Sequence, residues 1–352
     1  MNLGYFTFPI HDKKKNYLDS LKEDIDGIVI AEKVGFKEAF VGEHVTDEYE
    51  KITSSIVFIS NLLSQTNKIK LGTGTINLPN HHPVSIASSI SMLDHLAKGR
   101  LIMGIGPGSL LSDSEAFETL DKNRNEMFLE SINTIKKVWK QKPPYNIKGK
   151  YWNVSTKKTY DKSIAIGVIP RPYQKPHPEI VCTSLSRNTK SIKALTDNNW
   201  GLISSNFLYP ESLKFHQLGI NLSKNKKNTN WRLARKIFVN PSKKVIKDYV
   251  FSSKSPYRMT INQIFKKLKK YNRLDVMKKN PDDKNEKISV DNLLKELVIT
   301  GSPKEVAEKI LKLKEDIGNF KTITYVGIDW LDKELAKKSI KLMGEKVINY
   351  LN

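Results

Sequence analysis

The chain has 352 residues and a formal charge of +22, from 59 Lys and Arg against 37 Asp and Glu. Apolar residues make up 39% and charged residues 27%, a globular profile that excludes wholesale disorder. The lone cysteine, Cys182, excludes an internal disulfide and fits a reducing, cytoplasmic setting.

The start, Met-Asn-Leu-Gly-Tyr-Phe, lacks a basic segment followed by an apolar one, so no signal peptide is expected. The uncharged stretch Gly72–Leu93 holds two Asn, two Pro and two His, too polar for a membrane span. Only 8 of the basic residues are Arg, while Asn occurs 28 times. A groove that tracks nucleic-acid phosphates more often uses Arg forks beside Lys. The charge is therefore read as solvated helix faces, with neither nucleic acid nor membrane as a partner.

Leu3–Phe8 predicts a first strand, and Leu21–Val34 a helix by its apolar spacing, ended by Gly35. Phe36–Gly42 predicts strand two, Ile52–Gln65 a helix and Ile69–Ile76 strand three. Pro83 opens a helix that runs to about Leu96, and Leu101–Ile105 is strand four. A long helix follows over Arg124–Trp139, then a small hairpin over Tyr145–Val154 turning at Lys148-Gly149. Glu179–Thr183, Gly201–Ser205 and Trp231–Val239 predict strands five to seven, with helices Thr189–Thr196 and Glu211–Leu222 after the first two. Pro303–Ile317 predicts a helix capped by Ser302, Phe320–Ile328 strand eight and Lys333–Tyr350 the closing helix.

Eight strands alternating with helices predict an α/β fold, a (β/α)8 TIM barrel with insertions, forming one domain over 1–352. An open doubly wound sheet is the duller alternative. The segment 252–296 breaks the rhythm. It is rich in Lys and Asn, with one amphipathic stretch over Ile261–Leu268, and reads as a mobile insertion or lid after strand seven.

In such a barrel the C-terminal strand ends converge on one mouth. Here they carry Phe6 and Phe8, Glu43-His44, Gly74-Thr75 and Asn77, Gly106-Pro107-Gly108 with Asp113, Ser184-Ser186-Arg187, and Ser204-Ser205-Asn206. The set is rich in small donors, with one His, one Asp and one Arg. It suits a flat, partly apolar cofactor with a phosphate at Arg187, Ser184 and Ser186. The duller reading leaves Arg187 solvated at a helix start. No metal is expected, because the seven His show no zinc spacing and thiolate sets are absent. HExxH, GxSxG and P-loop motifs are missing, and the Gly104–Gly108 run lacks dinucleotide spacing.

FVGEH at 40–44, LGTGTINLPNHHPVSIA at 71–87, MLDHLAKGRLIMGIGPG at 92–108, SDSEAF at 112–117, RPYQKPHPEIV at 171–181, NWGLISSNF at 199–207, WRLARKIFV at 231–239 and ITGSPKEVAEKI at 299–310 follow one another in a known order. On these motifs the chain resembles the bacterial-luciferase-like flavin-dependent monooxygenases, closest to the limonene hydroxylase and alkanal monooxygenase alpha-like members. The resemblance implies a luciferase-like TIM barrel and a two-component reaction. Reduced FMN from a separate NAD(P)H flavin reductase would react with O2 to a C4a-peroxyflavin that oxygenates a small apolar organic substrate. Water must be kept out of such a pocket.

The same resemblance implies that His44 and Asp113 are catalytic, His44 acting as a neutral imidazole. It implies that Phe6, Gly74, Thr75, Asn77, Gly106, Ser184, Ser186, Arg187, Ser205 and Asn206 bind the cofactor, with a non-prolyl cis peptide at Gly74-Thr75. Gly106 and Pro107 stand where the luciferase alpha subunit has its reactive Cys and a phosphate-contacting Arg, which argues against light emission. A homodimer is expected, a heterodimer being the alternative, through Ile52, Ile56, Ile59 and the 85–91 helix. An F420-dependent oxidoreductase and a non-catalytic flavin-binding protein remain the competing functions. Oxygen uptake with each reduced cofactor separates them.

Overall fold

The computed structural model describes residues 1–351. Eight parallel strands close into a ring: Asn2–Thr7, Glu38–Val41, Lys70–Thr73, Leu101–Gly106, Glu179–Ser184, Gly201–Ser204, Trp231–Val239 and Thr322–Gly327. The ring closes because strand eight pairs with strand one, Asn2 opposite Thr322, and with strand seven, Arg232 opposite Thr322. The predicted barrel, and not the open sheet, is what forms.

Inward-facing side chains explain the closure. Strands one, two and four to eight supply Phe6, Phe40, Ile102, Val181, Ile203, Ala234 and Val326 to one buried layer. Strand three instead supplies Gly72, where a Cβ would lie 2.5 Å from the Phe40 ring, so one large ring fills the space of two side chains. Burying a ring of that size contributes about 1.5–3 kcal/mol. Beneath this layer Arg232 is fully buried. Its Nε and Nη2 donate to the two oxygens of Glu38 at 2.6 and 2.8 Å, and Nη1 donates to Glu179 at 3.0 Å. Gly201 accommodates that plug, since a Cβ there would lie 2.7 Å from Arg232 Nη1.

Outward-facing strand residues such as Tyr5, Leu71, Met103, Ile180, Leu202 and Ile323 pack on the helices through Ile28, Ile59, Ile90, Ile132 and Ile310. The helices begin where the sequence offers a cap: Asn16, Ser54, Asn123 and Asn188 each accept backbone N–H groups with their side chains. Ser302 and Glu305 form a reciprocal capping box before helix Pro303–Ile317.

Three expectations are corrected. The Tyr145–Val154 segment is an antiparallel pair, Asn146–Ile147 with Val154–Ser155, but it does not turn tightly at Lys148-Gly149. Its connection is wider because Glu130 gathers the N–H groups of Lys150, Tyr151 and Trp152, each at 2.9 Å. The closing helix is interrupted by a wider turn over Met343–Val347, where Gly344 lies against Val34 and a Cβ would come within 2.4 Å. Ile52 and Ile59 are buried in this chain's own core, so they cannot form an outer face. The exposed apolar residues of those helices are Val57, Met92 and Leu96.

Trp231–Val239 is long enough to pass the rim, and its second half pairs with a ninth strand, Val298–Gly301, that the sequence reading did not foresee. Between them the insertion folds into helices Pro256–Lys270 and Val290–Leu297 with short turns. Its Tyr257, Ile261, Ile264, Met277, Leu293 and Leu297 pack on Ile10, Phe207 and Phe238. Ile10, Phe207 and Phe238 lie at or just beyond C-terminal strand ends, so the insertion covers the barrel mouth. No helix among the described residues is long and apolar enough to cross a membrane.

Candidate active site

Strand two ends in Glu43-His44. Glu43 is spent on structure: its carboxylate accepts Ser55 N–H at 2.7 Å and Ser55 Oγ–H at 2.6 Å, tying the loop to the start of helix Ser55–Leu62. This fixes the direction of the next residue. His44 Nδ1 donates to Asp113 Oδ2 at 2.7 Å. Asp113 is buried, and its Oδ1 accepts Thr46 Oγ–H at 2.6 Å and the N–H groups of Thr46 and Val45 at 2.9 and 3.2 Å. Burial opposes ionisation of Asp113, but the His44 and Thr46 hydrogen bonds outweigh it and hold the carboxyl below its usual range.

His44 Nε2 lies 3.9 Å from Glu50, beyond hydrogen-bonding distance. Burial lowers the imidazole's pKa, but Glu50 and Asp113 overcome this and push it up to about 9. These two carboxylates favour the imidazolium, where the resemblance implied a neutral ring. The sequence could not show this, because Glu50 and Asp113 reach His44 only in the fold. Nδ1 is committed to Asp113, so Nε2–H is the proton free to move. A folded-state pKa above the unfolded value means that charged His44 stabilises the fold below about pH 6.5, and that this is lost as pH rises through about 9. In Asp113→Asn the titration midpoint of the His44 ring, followed by NMR, should fall well below 9. A midpoint unchanged in that variant would remove Asp113 as the cause.

His44, Asp113 and Asn77 line one groove with Ile76, Asn80, His81 and Phe117. The Gly74-Thr75 peptide is cis. A Cβ on Gly74 would lie 3.1 Å from Phe6, and one on Gly106 would lie 2.8 Å from Thr75 Oγ1, so strands one, three and four meet closely here. Phe6 is buried against Phe40 in the barrel interior, and the partly buried Phe8 lies next to it.

Across the mouth, Ser184 Oγ accepts Ser186 N–H at 3.2 Å and Ser184 carbonyl accepts Ser205 N–H at 3.2 Å. Behind them runs a buried chain. Trp231 Nε1 donates to Ser204 Oγ at 2.8 Å, Ser204 donates to His216 Nδ1 at 2.7 Å, and His216 Nε2 donates to the Ser186 carbonyl at 2.7 Å. Burial pushes His216 down to about 4, which keeps it neutral for this role. Sequence reading missed His216 because its partners lie on other elements.

Arg187 is half-buried and forms no ion pair among the described residues, although Asp275, Asp283 and Glu211 lie near enough to act on its charge. Its Nε donates to Ser212 Oγ at 2.8 Å, and Nη2 donates to the carbonyls of Lys278 and, at 3.3 Å, Lys279 in the insertion. The insertion also reaches the His44 side, where Lys267 pairs with Asp47 and, at 3.0 Å, with Glu50. Asn206 accepts from the buried Lys236, a residue that sequence reading passed over. All the predicted site residues thus lie at one end of the barrel, in a His44 group and a Ser184–Asn206 group. A phosphate with a flat ring fits this set chemically: Arg187, bonded to a hydroxyl and to backbone carbonyls, with hydroxyls beside it and glycines at the strand ends opposite.

Residues 1–319 match the family described as luciferase-like monooxygenase. The chain belongs to this family of flavin-dependent monooxygenases. Limonene 1,2-monooxygenase of Rhodococcus erythropolis is 32% identical over 126 residues, 35% of this chain and 33% of that protein's own length. The 3,6-diketocamphane 1,6-monooxygenase of Pseudomonas putida is 25% identical over 99% of this chain and 97% of its own. The oxygenating constituent of the Pseudomonas putida 3,6-diketocamphane monooxygenase, solved with FMN, superposes with a TM-score of 0.85 at 23% identity, covering 99% of this chain and 97% of that one. An F420-dependent secondary alcohol dehydrogenase shares the fold, with a TM-score of 0.70 at 16% identity over 100% and 99% of the two chains.

Proposed function

We propose that the protein uses reduced FMN, delivered by a separate NAD(P)H flavin reductase, and O2 to oxygenate a small, mainly apolar organic molecule. The observation that carries this reading is the His44–Asp113 pair, 2.7 Å apart, lining one groove with Asn77 near the cis Gly74-Thr75 peptide in a luciferase-like barrel. The FMN ring would rest near Gly74, Thr75, Asn77 and Gly106, and its phosphate at Ser184, Ser186 and Arg187, with Ser205 and Asn206 along the far side. The flavin, once bound, supplies the oxygen activation.

The protein's part is to orient, to dry and to move a proton. Asp113 fixes the His44 ring, and Nε2–H delivers a proton into the groove. The insertion 252–296 acts as the lid. Lys267 holds it on the His44 side and Arg187 on the opposite side, and its apolar residues exclude water between those two points. Arg187 Nη1 is left for a phosphate while Nη2 stays on the carbonyls of Lys278 and Lys279, so one guanidinium would touch both cofactor and lid.

Anaerobic titration of the purified protein with photoreduced FMN should show saturable binding. On admitting O2 with an added flavin reductase, oxygenated product should form from a suitable substrate with little free hydrogen peroxide. Absence of reduced-FMN binding, or hydride exchange with F420 in its place, would overturn the reading.

A further inference from the structure

Lys236 is buried at the barrel mouth, 2% exposed, on the same inward face of strand seven as Arg232 and Ala234. Arg232 has two carboxylates to meet its charge, but Lys236 has no ion pair among the described residues. One contact is the amide oxygen of Asn206, itself 5% exposed, and its ammonium lies 5.9 Å from the centre of the Phe8 ring. The neighbouring Arg235 offers no compensation. It is also a cation, and its guanidinium donates to the carbonyls of Ser205, Ala234 and Leu208. Leaving a buried ammonium without an anion is costly, and burial pushes the Lys236 pKa down to about 7.

Lys236 and Asn206 form the polar end of a cavity whose other walls are apolar: Phe207, Ile261, Ile264, Met277, Leu293 and Leu297. All but Phe207 of these apolar residues come from the insertion. Phe6, Gly74, Thr75, Asn77 and Gly106 do not line it; of the residues assigned to the flavin only Asn206 does, so the cavity adjoins the far side of the flavin's place. As it stands the cavity has room for about one water, so a small molecule enters only if its apolar walls move; a few polar groups convergent on apolar walls would then orient it.

We propose that this cavity is the substrate subsite, and that Lys236 with Asn206 selects an apolar molecule bearing one strongly accepting oxygen, a ketone or a carboxylate. The inference deepens the monooxygenase reading and rests on it for the word substrate. The Lys236 ammonium donates to that oxygen while the insertion's Ile261, Ile264, Leu293 and Leu297 close on the hydrocarbon body. Those four side chains are the ones that yield to admit the ligand, so entry and lid movement are one event. Lys236 is thus a specificity-determining residue that holds the reacting molecule by its oxygen.

Three probes with one hydrocarbon body test this: cyclohexanone, cyclohexanecarboxylate and cyclohexane, with dissociation constants measured by ligand-observed NMR on the whole protein. The wild type should bind cyclohexanone or cyclohexanecarboxylate at least tenfold more tightly than cyclohexane. Preference for the ketone identifies a neutral acceptor, and preference for the acid an anionic one. Lys236→Met should bring the three within about threefold of one another. Reduced-FMN binding, titrated separately, should persist in that variant, so failure of the flavin reading and failure of the subsite reading give different results. Equal affinities or no binding in the wild type would overturn the proposal, and this outcome does not depend on the variant folding. Retention of the preference in a folded Lys236→Met would overturn it too.

Discussion

In His44→Ala, product formed per reduced FMN consumed should fall by about a hundredfold or more, the range that loss of a positioned acid or base produces. Reduced FMN should still bind, because the assigned phosphate and ring contacts lie on other residues. The consumed O2 should then appear as hydrogen peroxide. His44→Ala removes, among the described residues, the imidazole of the groove that a buried carboxylate holds in place. Asp113→Asn should be milder, since the ring keeps a hydrogen-bonding partner but loses the charge that holds it protonated. A His44→Ala enzyme that couples O2 to product as well as the wild type would remove His44 from the mechanism. A variant that loses reduced FMN but couples normally whatever still binds would reassign it to cofactor binding.

Replacing Arg232 by Met should destabilise the fold by about 3–5 kcal/mol, the cost of stripping one partner from a buried ion pair. Glu38 is left facing the barrel interior with its carboxylate unmet, and Glu179 loses two hydrogen bonds. The double variant Arg232→Met with Glu38→Leu should recover much of the loss, because the uncompensated buried charge is then gone. Urea unfolding followed by circular dichroism measures both. If the single and double variants were equally unstable, the cost would come from packing on the Phe40 ring, 5.3 Å from the guanidinium, and not from charge.

Much of the framework was legible in the residue order. Apolar runs such as Leu101–Gly106 and Trp231–Val239, alternating with helices that start at Pro83, Asn123 or Ser302, mark the strand and helix order because caps and periodicity are local. His44 and Asp113 could be named because both stand in motifs that resemble a known family. The strand Val298–Gly301 escaped notice. It is four residues long, directly follows helix Val290–Leu297, and exists only because strand seven overshoots the rim and offers a partner.

The protonation of His44 and the identity of Lys236 are of another kind. Glu50 and Asp113 stand 6 and 69 residues from His44 along the chain, and Lys278, whose carbonyl Arg187 holds, stands 91 residues from Arg187, so no local pattern links these groups. In the sequence Lys236 is one lysine among many, alternating with Ala234 and Arg232 on a strand. Residue order alone decides which side chains face inward, since alternate residues of a strand share a face. What surrounds them was decided by closure of the ring and descent of the insertion, because charge and desolvation depend on distance in space and not on separation along the chain.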